Sequence, residues 1–250
     1  MFSSKEFRSI ARDKLRGKWG RSVLVSFLAA LLGAASFGGS SGVSSAQTEQ
    51  VAEGVQSGMS FMESFAASIS QSTGLNITAP MLTGVFVGAG VLSFVLFLVG
   101  SAVSLGHNKY YIDLVLHNRA DSVGVLFERF DIFFKAVGLQ LFMGFFVLLW
   151  SLLFIIPGIV AGFRYAMAPY IMAENPDIGI REAVNMSKQM MAGHKGRLFG
   201  LHFSFIGWAL LSSLTFGIGS LWLNPYMNTA FAAFYIERTG RGIPMAEPVQ

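Results

Sequence analysis

Along this chain apolar residues gather in long blocks, and polar residues collect in the segments between them. Leu198–Ile236 is almost wholly apolar, too long for one buried soluble helix, and interrupted by Phe216-Gly217-Ile218-Gly219. Lys188, Lys195 and Arg197 precede it, and Arg238 and Arg241 follow. An apolar run divided by a glycine turn, with cations at both ends, predicts two membrane-crossing helices folded into a hairpin. The same pattern predicts spans near residues 23–37, 81–105, 136–156 and 159–173, ahead of 198–216 and 220–236. The expected fold is therefore all-α: a polytopic integral membrane protein of about six transmembrane helices in three hairpins.

The segments between the blocks are amphipathic or polar. Residues 1–22 form a basic cytoplasmic segment, in which Phe7, Ile10, Ala11 and Leu15 fall at helical spacing. Lys5, Arg8, Arg12, Lys14, Arg16 and Lys18 fill the remaining positions. Such a helix suits an anionic leaflet, or serves as a solvated arm that sets topology. Residues 38–80 are polar, carry Glu49, Glu53 and Glu63, and contain no Lys or Arg, which predicts an extracytoplasmic loop. Within it Val51–Ile69 is a weak amphipathic helix candidate, and Asn76-Ile77-Thr78 matches a short glycosylation motif. A rival reading of Val23–Phe37 is a cleavable signal with Ser44-Ser45-Ala46 as its site; the long charged region ahead of it counts against that.

His107–Lys135 predicts two amphipathic pieces, Tyr110–Val115 and Leu126–Phe134, the second capped by Asp121-Ser122. Ile178–Ala192 predicts a third such helix, with Ile180, Ala183, Val184, Ser187 and Met191 on one face and Gly193 as its stop. An amphipathic helix followed by an apolar hairpin thus occurs three times. Pro157-Gly158-Ile159 and Phe216-Gly217-Ile218 are the expected matching tips. In this threading, with both termini cytoplasmic, every basic residue except Arg164 lies inside.

Composition agrees with the pattern. Of 250 residues, 53% are hydrophobic and 13% charged, against about 25% charged in a soluble domain. The mean hydropathy is +0.55. The net charge of +4 is explained by positive-inside topology rather than by nucleic-acid binding. With no cysteine, disulfides and thiolate chemistry are excluded.

The candidate intramembrane polar site comprises Arg164 and Tyr165 in the fourth span, His202 in the fifth, and Asn224 and Pro225 in the sixth. Arg164 reads as a site for an anionic headgroup in the outer half of the bundle, or as a side chain that snorkels to the interface. Asn224-Pro225-Tyr226 breaks the sixth span, either lining a cavity or forming a structural kink. His202 is a packing residue or a proton relay. His107, His117 and His194 lack metal-ligand spacing, and Gly193-His194-Lys195-Gly196 lacks the phosphate-loop spacing. No carboxylate falls within a span. No metal, cofactor or catalytic set is expected.

Several motifs resemble a bacterial membrane family catalogued as domain of unknown function 975. They include Glu174-Asn175-Pro176, Met191-x-Gly193-x-Lys195, Ser204-Phe205-Ile206-Gly207-Trp208, and Thr215-x-Gly217-Ile218-Gly219 with Pro225-Tyr226. The opening Ala11-Arg12-x-x-Leu15-x-Gly17-x-Trp19 is similar to that family's N-terminal motif. The resemblance implies a multi-pass protein of the bacterial cytoplasmic membrane and brings no activity with it. Two functions fit. One is a non-enzymatic module that organises lipid, in particular anionic headgroups, or a protein partner at the inner leaflet. The other is a small transporter with its site near Arg164 and the Asn224-Pro225 kink.

Overall fold

The computed structural model describes residues 2–33, 63–64, 66–68, 70–72, 78–119, 123–215 and 217–244. They divide into two compact units, Met1–Gly39 with Leu98–Gln250, and Ser40–Phe97. All regular structure among the described residues is helical. Three helical stretches there are long and apolar enough to cross a membrane: Ala79–His117, Val123–Leu153 and Lys195–Leu214. The expected helix over Val51–Ile69, the Asn76 motif, the Ser44-Ser45-Ala46 site and the Asp121-Ser122 cap lie wholly or largely outside the described residues.

Helix α1 spans Ser4–Leu15 and opens with a capping box, Ser3 and Glu6 bonding each other's amides. Phe7, Ile10, Ala11 and Leu15 are buried against α8 (Lys195–Phe203) and α10 (Ser220–Arg238), with Phe7 and Phe234 ring centroids 5.5 Å apart. The apolar face that suited a membrane surface is thus covered by the protein's own helices. Lys14, expected among the polar positions, shares this buried stripe because it lies three residues from Ala11 and four from Ile10. A turn with Gly17 at φ +72° leads into α2, Trp19–Leu31. Its 13 residues reach about 20 Å, short of a crossing; residues 34–37 of the expected first span lie beyond the description.

Helix α3 runs from Ala79 to His117, 39 residues or about 58 Å, where a span ending at Leu105 was expected. No proline or cap interrupts it. In the second unit its residues Met81–Val95 expose Val85, Phe86, Val91 and Phe94, and no described atom lies within 4 Å of a Cβ at Gly84 or Gly88. In the first unit, Gly100–Ser104 and Tyr110–Ile112 are buried. Tyr110 and Tyr111, expected on a cytoplasmic surface helix, instead share hydrogen bonds with Ser22 and Ser26 at 3.0 and 2.7 Å. A Cβ at Gly106 would stand 2.5 Å from the carbonyl oxygens of Val125 and Leu126, so only glycine admits this approach. The second expected amphipathic piece is two short 3-10 turns, Val123–Phe127 and Phe130–Ile132.

Helices α4 (Phe133–Leu153) and α5 (Ile155–Tyr165) fold back on each other at Phe154, whose backbone is extended. Pro157, expected at the turn, lies in the first turn of α5, where a missing N–H costs nothing. A Cβ at Gly158 would come within 2.0 Å of Ser151 Oγ. Then follow α6 (Ala168–Glu174) and α7 (Ile180–Met190), whose Ala183, Val184 and Ser187 are buried as the periodicity predicts. Gly193, at φ +74°, leads on to α8. The fifth expected span is divided at Ser204-Phe205 into α8 and α9 (Ile206–Leu214). α10 continues unbroken through Pro225, correcting the expected break: only one amide is missing, and Thr229 Oγ1 donates to the Pro225 carbonyl at 2.7 Å.

Burial within the first unit is zoned. Phe7, Leu114, Met172, Leu198 and Phe234 form a continuous core. At the hairpin ends the apolar residues are turned outward: Leu152 is 80% exposed and Ile156 75%, Leu214 77% and Ile218 62%. Contiguous apolar surface of this kind marks contact with lipid or protein.

Candidate functional site

Between α1, α9 and α10 lies a cleft of about 490 Å³, within the range of small-molecule sites. α1 contributes Arg8 and Arg12, and the start of α2 contributes Trp19. Trp208, Leu211 and Ser212 come from α9, and Trp222, Leu223 and Tyr226 from α10, with Thr215 and Gly219 at the hairpin end. A second cleft continues the first over α1, sharing Arg12 and Trp19 and adding Ser9, Asp13 and Arg16. Arg8, Arg12 and Arg16 are four residues apart, so they form one row along the helix. The cleft joins cations at one margin to a wall of tryptophan and leucine.

The local geometry explains why these side chains stand there. Packing of the Phe7–Leu15 stripe against α10 turns the arginine row toward α9. Arg8 Nη1 donates to the Ser204 carbonyl at 3.4 Å, where α8 gives way to α9, and its Nε is buried without a partner. Arg12 and Arg16 are exposed and make no hydrogen bond or ion pair among the described residues. Phe205 meets the Tyr226 ring edge-on at 5.2 Å and fixes its orientation. Guanidinium groups beside aromatic faces suit a planar or tetrahedral anion, and the apolar wall suits hydrocarbon.

Burial and neighbouring cations favour the neutral forms of Lys14 and His194. Burial holds the Lys14 ammonium below its ordinary range, with the Lys18 charge adding to the effect. Burial, then Arg238 and Arg197, lower His194. Glu6 is lowered by the Ser3 amide that it accepts from.

The residues expected to form an intramembrane polar site are not gathered. Arg164 is exposed near the end of α5, and its carbonyl accepts from Ser187 Oγ of α7 at 3.0 Å. Tyr165 is buried with Lys188 Nζ 5.8 Å from its ring. His202 stacks on Phe231 at 4.3 Å, meets Phe163 edge-on, and bonds the Leu198 carbonyl through Nδ1 at 2.9 Å. Asn224 is half-buried and Pro225 buried. No hydrogen bond, ion pair or ring contact joins Arg164 to His202, Asn224 or Pro225, and neither cleft includes it. Arg164 is held beside α7 by that bond.

The family-like motif behaves differently. Met191 is buried, Lys195 opens α8, Gly207 is exposed, and Gly193 and Gly217 adopt positive φ. Ser204 receives Arg8, while Trp208, Gly219 and Tyr226 line the cleft. Arg12 and Trp19 of the N-terminal motif line it too, so both ends of the resemblance meet there. Arg8 was visible only as one of the basic positions of residues 1–22, and Trp222 carried no signal in the sequence. Among the described residues no group of His, Asp or Glu is placed to hold a metal.

A family model described as a protein of unknown function, DUF975, matches residues 1–161 and 152–241. No curated protein and no solved structure matches the chain.

Proposed function

The chain belongs to the DUF975 family of proteins of unknown function, and we propose that it is a non-catalytic, multi-pass protein of the bacterial cytoplasmic membrane. Its termini face the cytoplasm, and it holds an anionic phospholipid at the inner leaflet. The observation that carries this reading is the cleft in which Arg8 and Arg12 border Trp208, Trp222 and Leu223. A phosphate at the arginines leaves an acyl chain to follow the tryptophan and leucine wall toward Thr215 and Gly219. Ser212 and Thr215 are the aliphatic hydroxyls in the lining, and no carboxylate or histidine lines the cleft beside them to activate either. The inner leaflet supplies the anion, and the basic flanks of the apolar blocks favour that side.

Tryptophan quenching by brominated phospholipid in nanodiscs tests the reading. Brominated phosphatidylglycerol is expected to quench at far lower mole fraction than brominated phosphatidylcholine, with the preference shrinking in high salt. Arg12→Gln with Arg16→Gln, which removes two exposed unpaired cations, should lower the preference by about 2 kcal/mol, or roughly thirty-fold. Equal quenching by the two lipids at low salt refutes the proposal.

A further inference from the structure

Both apolar hairpins of the first unit carry cations unusually close to their tips. Along α8 and α9, Ser4 Oγ lies 3.8 Å from the Cβ position of Gly200, Arg8 reaches the Ser204 carbonyl, and Arg12 shares the cleft with Trp208. Helix α1, with Lys5, Arg8 and Arg12, therefore lies beside residues 200–208. From Ser204 to Leu214 there are about ten residues, which is about 15 Å of helix against a hydrocarbon core of about 30 Å. The other hairpin repeats this measure. From the turn at Phe154 to the exposed Arg164 is again about ten residues, or about 15 Å. Beside that level α7 brings Ser187 onto the Arg164 carbonyl and Lys188 to 5.8 Å from the Tyr165 ring. Carrying either tip across the bilayer would take Arg8 and Arg12, or Arg164 and Lys188, into hydrocarbon, where each charge is costly.

The α9–α10 tip is also built for a place without water. The amides of Thr215, Gly217, Ile218, Ser220 and Leu221 all donate to carbonyls within the turn, and the Gly219 amide donates to Thr215 Oγ1 at 3.0 Å. The hydroxyls of Ser213, Thr215 and Ser220 donate to local carbonyls as well. Hydrocarbon offers backbone groups no partner, so a turn placed there has to satisfy them internally. Leu214 and Ile218 nonetheless point outward.

We propose that both hairpins are re-entrant: each enters the bilayer from the cytoplasmic leaflet, turns near the midplane and leaves by the face it entered. This goes beyond the lipid-binding reading and does not depend on it. Arg164 then ceases to be an exception, since it sits at the cytoplasmic headgroups with every other cation of the hairpins. The surface each tip offers is an apolar wedge fitted to the acyl chains of one leaflet.

The chain has no cysteine, so single cysteines report without a background. Ile156→Cys and Ile218→Cys are compared with Gly58→Cys in the polar loop and Gly196→Cys near the start of α8. An impermeant maleimide is applied to spheroplasts and to inverted vesicles. The expected result is loss of labelling at 156 and 218 from both sides, while Gly58→Cys reacts from outside and Gly196→Cys from inside. A bimane at either tip should be quenched more by lipids spin-labelled at mid-chain than at the headgroup. Labelling of either tip from outside at the rate of Gly58→Cys, or strongest quenching by headgroup spin labels, overturns the proposal. The bimane reading keeps the test decisive when a tip cysteine is merely slow to react.

Discussion

Arg197 and Glu237 close a clamp on the start of the chain. The guanidinium donates to both carboxylate oxygens, at 3.0 and 2.9 Å, and to the Phe2 carbonyl at 2.6 Å. The Phe2 amide donates to Glu237 Oε1 at 2.8 Å, and Arg197 also lies over the Phe7 and Phe234 rings. The pair is largely buried, with side-chain exposures of 25% and 11%.

Glu237→Gln is expected to destabilise the protein by about 2–3 kcal/mol, somewhat below the cost of opening a fully buried pair. Arg197→Met should cost a similar amount, and the double variant less than the sum, because each single change strands the other partner. Thermal unfolding in detergent gives the cycle.

Glycine tolerance should follow the room at each position. Gly158→Ala and Gly106→Ala force a Cβ onto Ser151 and onto the carbonyls of Val125 and Leu126, so each should lose about 1–3 kcal/mol. Gly219→Ala, 3.0 Å from Ser212 Cα, should lose less. At Gly162 no atom stands within 4 Å, and alanine there should raise stability by about 0.5–1 kcal/mol through helix propensity. The order of the four melting temperatures checks this.

Ser187 ties α7 to the preceding helices, accepting from the Met167 amide at 3.2 Å and donating to the Arg164 carbonyl at 3.0 Å. Ser187→Ala leaves a buried N–H without an acceptor, and about 1–2 kcal/mol should be lost. Faster amide exchange at Met167 would locate the loss.

Lys14 occupies the core stripe of α1 at 5% exposure without a partner among the described residues. Its folded-state pKa is depressed, so the unfolded chain binds more protons as pH rises from that value toward 10.5. Stability should therefore rise with pH across that alkaline window, and the penalty is fully present below it. Lys14→Met should reduce the rise, leaving the share of Lys18, which burial also lowers, and raise the melting temperature at pH 7; a variant that melts lower, or keeps the full alkaline slope, contradicts this.

How far the sequence could be read depended on the range of the interaction. The apolar stripe Phe7–Leu15 and the buried face of α7 were visible because helical period is local. What covers them was not, since Phe7 meets Phe234 across most of the chain. Pro157-Gly158 reads as a turn in sequence, yet proline is equally at home in a first helical turn, and Phe154 turns the chain. Equivalence of the two tips was placed two residues off. Gly158 and Gly219 each close on a serine seven positions earlier, Ser151 and Ser212, so Gly219 rather than Gly217 corresponds to Gly158. The cleft was half legible: its Arg12, Trp19, Trp208 and Tyr226 belonged to recognised motifs, but nothing local shows that these motifs face each other.

The clamp between Phe2 and Glu237 has a bearing on biosynthesis. A ribosome releases residue 2 long before residue 237, so α1 has no seat until α10 emerges. Through nearly all of translation its Phe7 and Ile10 must be sheltered by something else, and the membrane surface beside the translocon is the nearest shelter. Completion of α10 would then draw α1 off the lipid and into the protein, making this docking a late step in the maturation of the fold.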